Sequence, residues 1–96
     1  MPKVINWRLG TSREFAVRKW GDELVVYDCT TGDTHLLDVI ASQVFTCLQQ
    51  APSTTDVLIR LIGSYFFVDQ TDELAPEVAR ILDNLSSLGL IESTPL

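Results

Sequence analysis

The feature that most constrains the fold is a change in the spacing of apolar residues at Asp38. Before it, short runs such as Leu24–Tyr27 are rich in β-branched residues and are separated by turn-forming residues, which favours strands. After it, apolar residues recur every three or four positions, which favours helices. A block of strands followed by a block of helices predicts an α+β domain.

Four strand candidates precede Asp38, at residues 4–9, 14–20, 24–28 and 34–37. Gly21 and Gly32 lie in short turns between the later candidates, and Gly32 is free to adopt a positive φ. Because tight turns join antiparallel neighbours, these strands are expected to form a meander. A further strand at residues 90–92 would follow the helices.

Three helices are expected between about residues 38 and 90. Asp38 is a suitable N-cap for the first helix, and the segment from Ser53 to Asp56 resembles a capping box for the second. Gly89 is a natural residue to end the third helix. We therefore expect residues 1–96 to form a single domain with a winged-helix-like architecture. It would contain a small antiparallel sheet of three to four strands over about 4–37, followed by three helices over about 38–90.

The charge of the chain limits its partners. The net charge is −6 and the sequence pI is about 4.4, whereas nucleic-acid-binding domains usually carry basic patches that neutralise phosphates. The sequence therefore argues against nucleic acid and anionic membrane as partners. The longest apolar run, Tyr65–Val68, is far too short to span a bilayer, and residues 1–8 lack the apolar region of a signal peptide. We expect a cytoplasmic location.

The sequence is poor in groups that carry out catalysis. His35 is the single histidine, which excludes a metal site with two histidines. The residues for a Ser–His–Asp arrangement are present, since His35 has Asp38 and Ser42 nearby in the sequence. A packing role for His35 is the better interpretation. The acidic residues Asp69, Asp72, Glu73 and Glu77 could suggest a metal, although carboxylates at a helix start usually face water. We expect no catalytic residues, no metal and no cofactor.

Two tryptophans and two cysteines have open roles. Trp7 and Trp20 could form platforms for a ligand, but in a small sheet they are expected to close the core. Cys29 and Cys47 could form one disulfide, but without a secretory signal we expect free thiols. Cys47 follows a helical apolar pattern and should be a core residue, whereas Cys29 should be partly exposed.

Residues 20–38, WGDELVVYDCTTGDTHLLD, resemble the central segment of PqqD-type peptide chaperones. More narrowly, the segment from Thr31 to Leu37 is similar to the Ser/Thr-Gly-Asp-Thr-His-Leu-Leu signature of the HPr-rel-A system PqqD family. The apolar pattern of the three helices also resembles the family, with less specific motifs. The resemblance covers nearly the whole chain, but the strand candidate at 4–9 precedes the usual first strand and could cover or compete for a sheet edge.

The resemblance implies a RiPP recognition element, which binds the leader segment of a ribosomally made precursor peptide. The leader would add as a strand to a sheet edge beside the third helix. The implied edge consists of Thr34, His35, Leu36 and Leu37. The implied helical wall consists of Val78, Ile81, Leu82 and Leu85, and the sequence leaves open which of these face the groove and which face the core. The alternative for residues 34–37 is an ordinary strand that leads into a helix.

These observations favour a non-enzymatic peptide chaperone with two partners, the precursor leader and a peptide-modifying enzyme from the same operon. A homodimer is possible. A regulatory or docking subunit of a larger enzyme is the first alternative. A winged-helix DNA-binding regulator is the second, and the acidic charge disfavours it.

Overall fold

The computed structural model describes residues 5–11, 14–66 and 71–95. It confirms the α+β fold class, with two small antiparallel sheets and three helices in this part of the chain. The elements in chain order are β1 (Ile5–Leu9), β2 (Phe15–Trp20), β3 (Glu23–Asp28), β4 (Thr34–Leu37), α1 (Val39–Gln50), β5 (Ser53–Thr54), α2 (Thr55–Tyr65), α3 (Thr71–Ser87) and β6 (Ile91–Pro95).

The strands β2, β3 and β4 form the expected antiparallel meander. The turn between β3 and β4 contains Gly32 with φ of +82°, a left-handed conformation that glycine adopts without steric cost. The carboxylate of Asp28 accepts hydrogen bonds from the N–H groups of Thr30 and Thr31 in this turn. The turn thus returns the chain directly to the third strand, and it leaves β2 and β4 at the two edges of the sheet.

The first strand does not join this meander. Instead, β1 lies in a second sheet between β5 and β6, with Trp7 opposite both Ser53 and Ser93. The Trp7 side chain is buried in the core and its Nε1–H donates to Thr55 Oγ1 at 2.9 Å. The strand expected near residues 90–92 is β6. Because β1 pairs with β5 and β6, it does not cover either edge of the β2-β3-β4 sheet; Val4 lies outside the described residues.

The helix caps agree with the sequence at two ends and differ at one. Asp38 caps α1 by accepting from the Ala41 N–H at 2.9 Å. Gly89, with φ of +78°, ends α3 as expected. The N-cap of α2 is Thr54, whose Oγ1 accepts from the Val57 N–H, and not Ser53 as a capping box would require. The physical reason is that Ser53 and Thr54 pair with β1, so the helix starts one residue later.

The core lies between the β2-β3-β4 sheet and the helices. Phe45 of α1 is fully buried, and its ring meets Phe15 of β2 edge-to-face with centroids 6.4 Å apart. Trp20 was expected in this core, but 73% of its surface is exposed. The reason is strand alternation: Trp20 is five residues from Phe15 and therefore projects from the opposite face of β2.

The two thiols are free, in agreement with the sequence. Cys29 is exposed in the turn after β3. Cys47 is half-buried against the core, where burial raises the pKa of its thiol, and the smaller opposing effect is a contact with Gln43.

A buried hydroxyl joins α1 to the end of the meander. Ser42 Oγ accepts from the Leu24 N–H at 2.8 Å and donates to the Leu37 C=O at 2.9 Å. Leu24 and Leu37 are directly opposite each other in β3 and β4. The hydroxyl therefore stands between two backbone groups that would otherwise pair with each other, and it satisfies both.

We predict that Ser42→Ala lowers the free energy of unfolding by about 1–3 kcal/mol, because it leaves two buried backbone groups without their partner. The measurement is urea unfolding followed by circular dichroism. The matched control is Ser87→Ala, which removes an exposed hydroxyl bonded to the Asp83 C=O and should change stability by less than about 0.5 kcal/mol. Equal effects of the two changes would contradict the bridging role.

Candidate functional site

The β2-β3-β4 sheet ends at β4, which has β3 on one side and no paired strand on the other among the described residues. Asp38 follows β4 directly and begins α1, so this open edge leads into the helical half of the molecule. A strand with one unpaired side presents unused N–H and C=O groups, which is the requirement for binding an extended peptide.

The hydrogen bonds next to β4 show which of its backbone groups face the open edge. The Asp28 N–H donates to the Asp33 C=O at 2.8 Å, which makes these two residues a hydrogen-bonded pair. In an antiparallel ladder such pairs recur at every second residue. The register pairs Val26 with His35 and Leu24 with Leu37, so His35 and Leu37 direct their backbone groups toward β3.

The intervening residues, Thr34 and Leu36, consequently direct their N–H and C=O groups away from β3. The other side of β3 gives a consistent result, because the Cys29 N–H donates to the Glu14 C=O of the β2 segment at 2.9 Å. Odd-numbered residues of β3 thus face β2, and even-numbered residues face β4. The open edge of β4 therefore offers the backbone groups of Thr34 and Leu36 to a partner.

Side chains on β4 alternate between the two faces of the sheet. Leu37 points toward the helices and is 4% exposed, whereas Leu36 points outward and is 68% exposed. His35 is on the inner face, half-buried opposite Val26. The same edge residue that offers unpaired backbone groups, Leu36, also offers a bare apolar side chain.

The structure places the four proposed wall residues of α3 in the core, each with 0–3% of its surface exposed. They are Val78, Ile81, Leu82 and Leu85. This answers the question that the sequence left open, because all four face inward; their direct contact with a peptide stays a prediction.

The solvent-facing side of α3 carries an ion pair. Arg80 donates from Nε and Nη2 to the carboxylate of Glu77, three residues earlier. This hydrogen bond lowers the pKa of Glu77 and raises the pKa of Arg80. The negative charge of Asp38 makes a smaller contribution to the raised pKa of Arg80. Arg80 and Glu77 thus form an ion pair on the exposed side of α3.

The structure gives no support to a Ser–His–Asp site at β4. The Ser42 hydroxyl donates to the Leu37 C=O and is buried, and the Asp38 carboxylate caps α1. Both groups therefore stabilise the fold. Neither the Ser42 hydroxyl nor the Asp38 carboxylate serves His35 as a nucleophile or as an orienting carboxylate.

A cavity lies elsewhere in the described chain, between the β2–β3 turn, α1 and the end of α2. It has a volume of about 530 Å³ and a mixed lining that includes Lys19, Asp22, Gln43 and Tyr65. It does not touch β4. Tyr65 and Phe66, at its rim, directly precede residues 67–70, which are outside the described ranges, and we assign it no ligand.

The described residues contain no group of three or more His, Cys, Asp or Glu side chains arranged to hold a metal ion. Asp69 of the acidic cluster lies outside the described residues. No helix among them is both long enough and apolar enough to cross a membrane.

The β4 edge lies within a span of the chain that matches a known protein family. The family model for coenzyme PQQ synthesis protein D (PqqD) matches residues 23–91, which include β3, β4 and all three helices. The chain belongs to the PqqD family. No curated protein and no solved structure matches the chain significantly.

Membership of the PqqD family implies an accessory or chaperone role in PQQ synthesis, with a peptide and an enzyme as partners. Members of the family are non-catalytic accessory proteins. The match begins at Glu23, so β1 and β2 precede it, and it ends at Ile91, the first residue of β6. The open strand β4 thus belongs to the part of this chain that carries the family pattern, whereas most of the β1–β6 pairing lies outside it.

The backbone directions predict a sharp contrast in amide hydrogen exchange. The His35 amide is paired with β3 and can exchange only when the strand opens, which costs about 3 kcal/mol in a paired strand. The Leu36 amide, at the open edge, should therefore exchange about two orders of magnitude faster. On the opposite edge of the sheet, Val17 should exchange fast and Arg18 slowly, which provides an internal control. The measurement is exchange followed by NMR. Equal protection of Leu36 and His35 in the free protein would show that the edge is covered.

Proposed function

We propose that this PqqD-family protein is a non-catalytic peptide chaperone of the cytoplasm. It binds the leader segment of a ribosomally made precursor peptide as an added strand on β4, and it presents that peptide to a modifying enzyme. The observation that carries the proposal is the open edge of β4, where Thr34 and Leu36 direct their backbone groups outward within the family-matched span.

Strand addition suits a leader peptide for a physical reason. Backbone hydrogen bonds are independent of side-chain identity, so they provide affinity for any extended segment, and neighbouring side chains provide selection. The pairing of β1 with β5 and β6 supports this function, since the chain's own extra strand is engaged elsewhere. The β4 edge thus remains accessible to another polypeptide.

Proline substitutions test the backbone contribution, because proline removes the N–H donor as well as replacing the side chain. Leu36→Pro deletes an outward N–H and should weaken leader binding by about tenfold or more, the loss expected for hydrogen bonds worth about 1.5 kcal/mol. His35→Pro deletes an inward N–H paired with β3 and should destabilise the fold itself. The measurements are titrations with leader peptides from the same operon and thermal melts.

The matched control for Leu36→Pro is Val17→Pro, which deletes an outward N–H at the opposite edge, on β2. It should leave leader binding unchanged. If folded Leu36→Pro binds the leader as tightly as the unsubstituted protein does, strand addition at β4 is wrong, and a docking subunit becomes the better assignment. A second copy of the chain at this edge would instead make Leu36 exchange depend on protein concentration without any peptide.

The charge of α3 also tests the alternative of a DNA-binding regulator. In a winged helix the third helix would approach phosphates, but here Arg80 is the only basic residue between 71 and 87 and it is paired with Glu77. We predict no gel shift of duplex DNA at about 150 mM salt, near the physiological ionic strength, because there are too few cations to release counterions. A sequence-specific shift under these conditions would contradict the chaperone assignment.

A further inference from the structure

We infer that the outer face of the β2-β3-β4 sheet, the face turned away from the helices, selects the bound peptide. The selected segment carries one apolar side chain beside Leu36 and a second one two residues away, beside Thr34. This inference rests on the proposed addition of the peptide to β4. It names the class of peptide: an extended segment with apolar residues at positions i and i+2.

The geometry follows from the backbone directions. Residues that lie beside each other on adjacent strands project their side chains from the same face of the sheet. The peptide residue next to Leu36 therefore projects outward, the next one projects inward beside His35, and the third projects outward beside Thr34. This alternation holds for a peptide that runs in either direction along β4.

The outer face beside β4 has an unfilled apolar surface. Leu36 lies opposite the half-buried Val25, and Thr34 lies opposite Tyr27, which is 43% exposed. Val25, Tyr27 and Thr34 also line a shallow cleft of about 460 Å³ that reaches Trp20 on β2. Leu36 with Val25, and Thr34 with Tyr27, form two rows of side chains across the strands. Apolar peptide side chains at i and i+2 would add one residue to each row and cover the exposed surface of Leu36.

The inner side of the edge offers less apolar surface. The apolar residues of α3 named above are buried in the core, and the exposed side of the helix carries the Glu77–Arg80 ion pair. An inward-facing peptide residue lies beside the half-buried His35, so a polar residue suits position i+1. The free apolar surface next to β4 is on the outer face, and this is where apolar selection acts.

A library of random eight-residue peptides, selected on the immobilised protein, tests this inference without a known leader. The unsubstituted protein should enrich apolar residues at two positions separated by one residue. Leu36→Lys keeps the backbone groups of β4 and should change one of those positions to Asp or Glu. Replacing the apolar residue at that position with Asp in a selected peptide should weaken binding to the unsubstituted protein by about tenfold, since the burial of one apolar side chain is lost.

Leu61→Lys is the matched control, because it changes an exposed apolar residue that lies on α2 and not on the β2-β3-β4 sheet. It should leave both selected positions apolar. If peptides are enriched and Leu36→Pro abolishes their binding, but Leu36→Lys does not change the selected residues, the outer-face inference is wrong and strand addition stands. If no peptide is enriched by the unsubstituted protein, strand addition and the inference both fall.

Discussion

The hydroxyl of Ser42 is the interaction on which the β2-β3-β4 sheet and the helices jointly depend. It accepts from the first buried amide of β3 and donates to the last carbonyl of β4, while its own backbone is in the first helix. Loss of the hydroxyl would leave a buried donor and a buried acceptor unpaired, at a cost of about 1–3 kcal/mol. The bridge holds the C-terminal end of β4 against α1, so the edge strand is fixed at the end next to the helices and open along its side.

The two sheets divide the strands in a way that keeps this side open. Ladder hydrogen bonds and the burial of Trp7 hold β1 between β5 and β6, and an ion pair between Arg8 of β1 and Glu92 of β6 links these two neighbouring strands. An exposed edge with a bare leucine is normally a risk for aggregation, which proteins reduce with charges, bulges or a covering segment. Here no described segment covers β4, and this is consistent with an edge kept for a peptide partner. The acidic charge of the chain adds solubility without blocking the backbone groups.

In the proposed binding mode, affinity and selection come from different groups of β4. The backbone of Thr34 and Leu36 faces sideways into the open edge, while their side chains face outward. The apolar residues of α3 that the family resemblance assigned to the groove are packed in the core, and their contact with a peptide stays a prediction. Leu36 has both roles in this proposal. Leu36→Pro changes its N–H and its side chain, whereas Leu36→Lys changes the side chain alone, so comparison of the two substitutions isolates the backbone contribution.

The sequence by itself determined the local structure. Asp38 and Gly89 specify helix ends through a side-chain acceptor and a left-handed conformation, and Gly32 specifies the turn before β4; these are interactions between near neighbours in the chain. The motif from Thr31 to Leu37 also indicated the PqqD family.

What only the tertiary structure decided depends on distant pairing. It placed β1 with β5 and β6, moved the start of α2 to Thr55, exposed Trp20 and buried the apolar stripe of α3. It also set the β3–β4 register, which directs the Leu36 backbone outward and the His35 backbone inward. A shift of one residue would exchange these directions, and no pattern within residues 34–37 distinguishes the two, because the choice is made by hydrogen bonds to β3 and by the hydroxyl of Ser42.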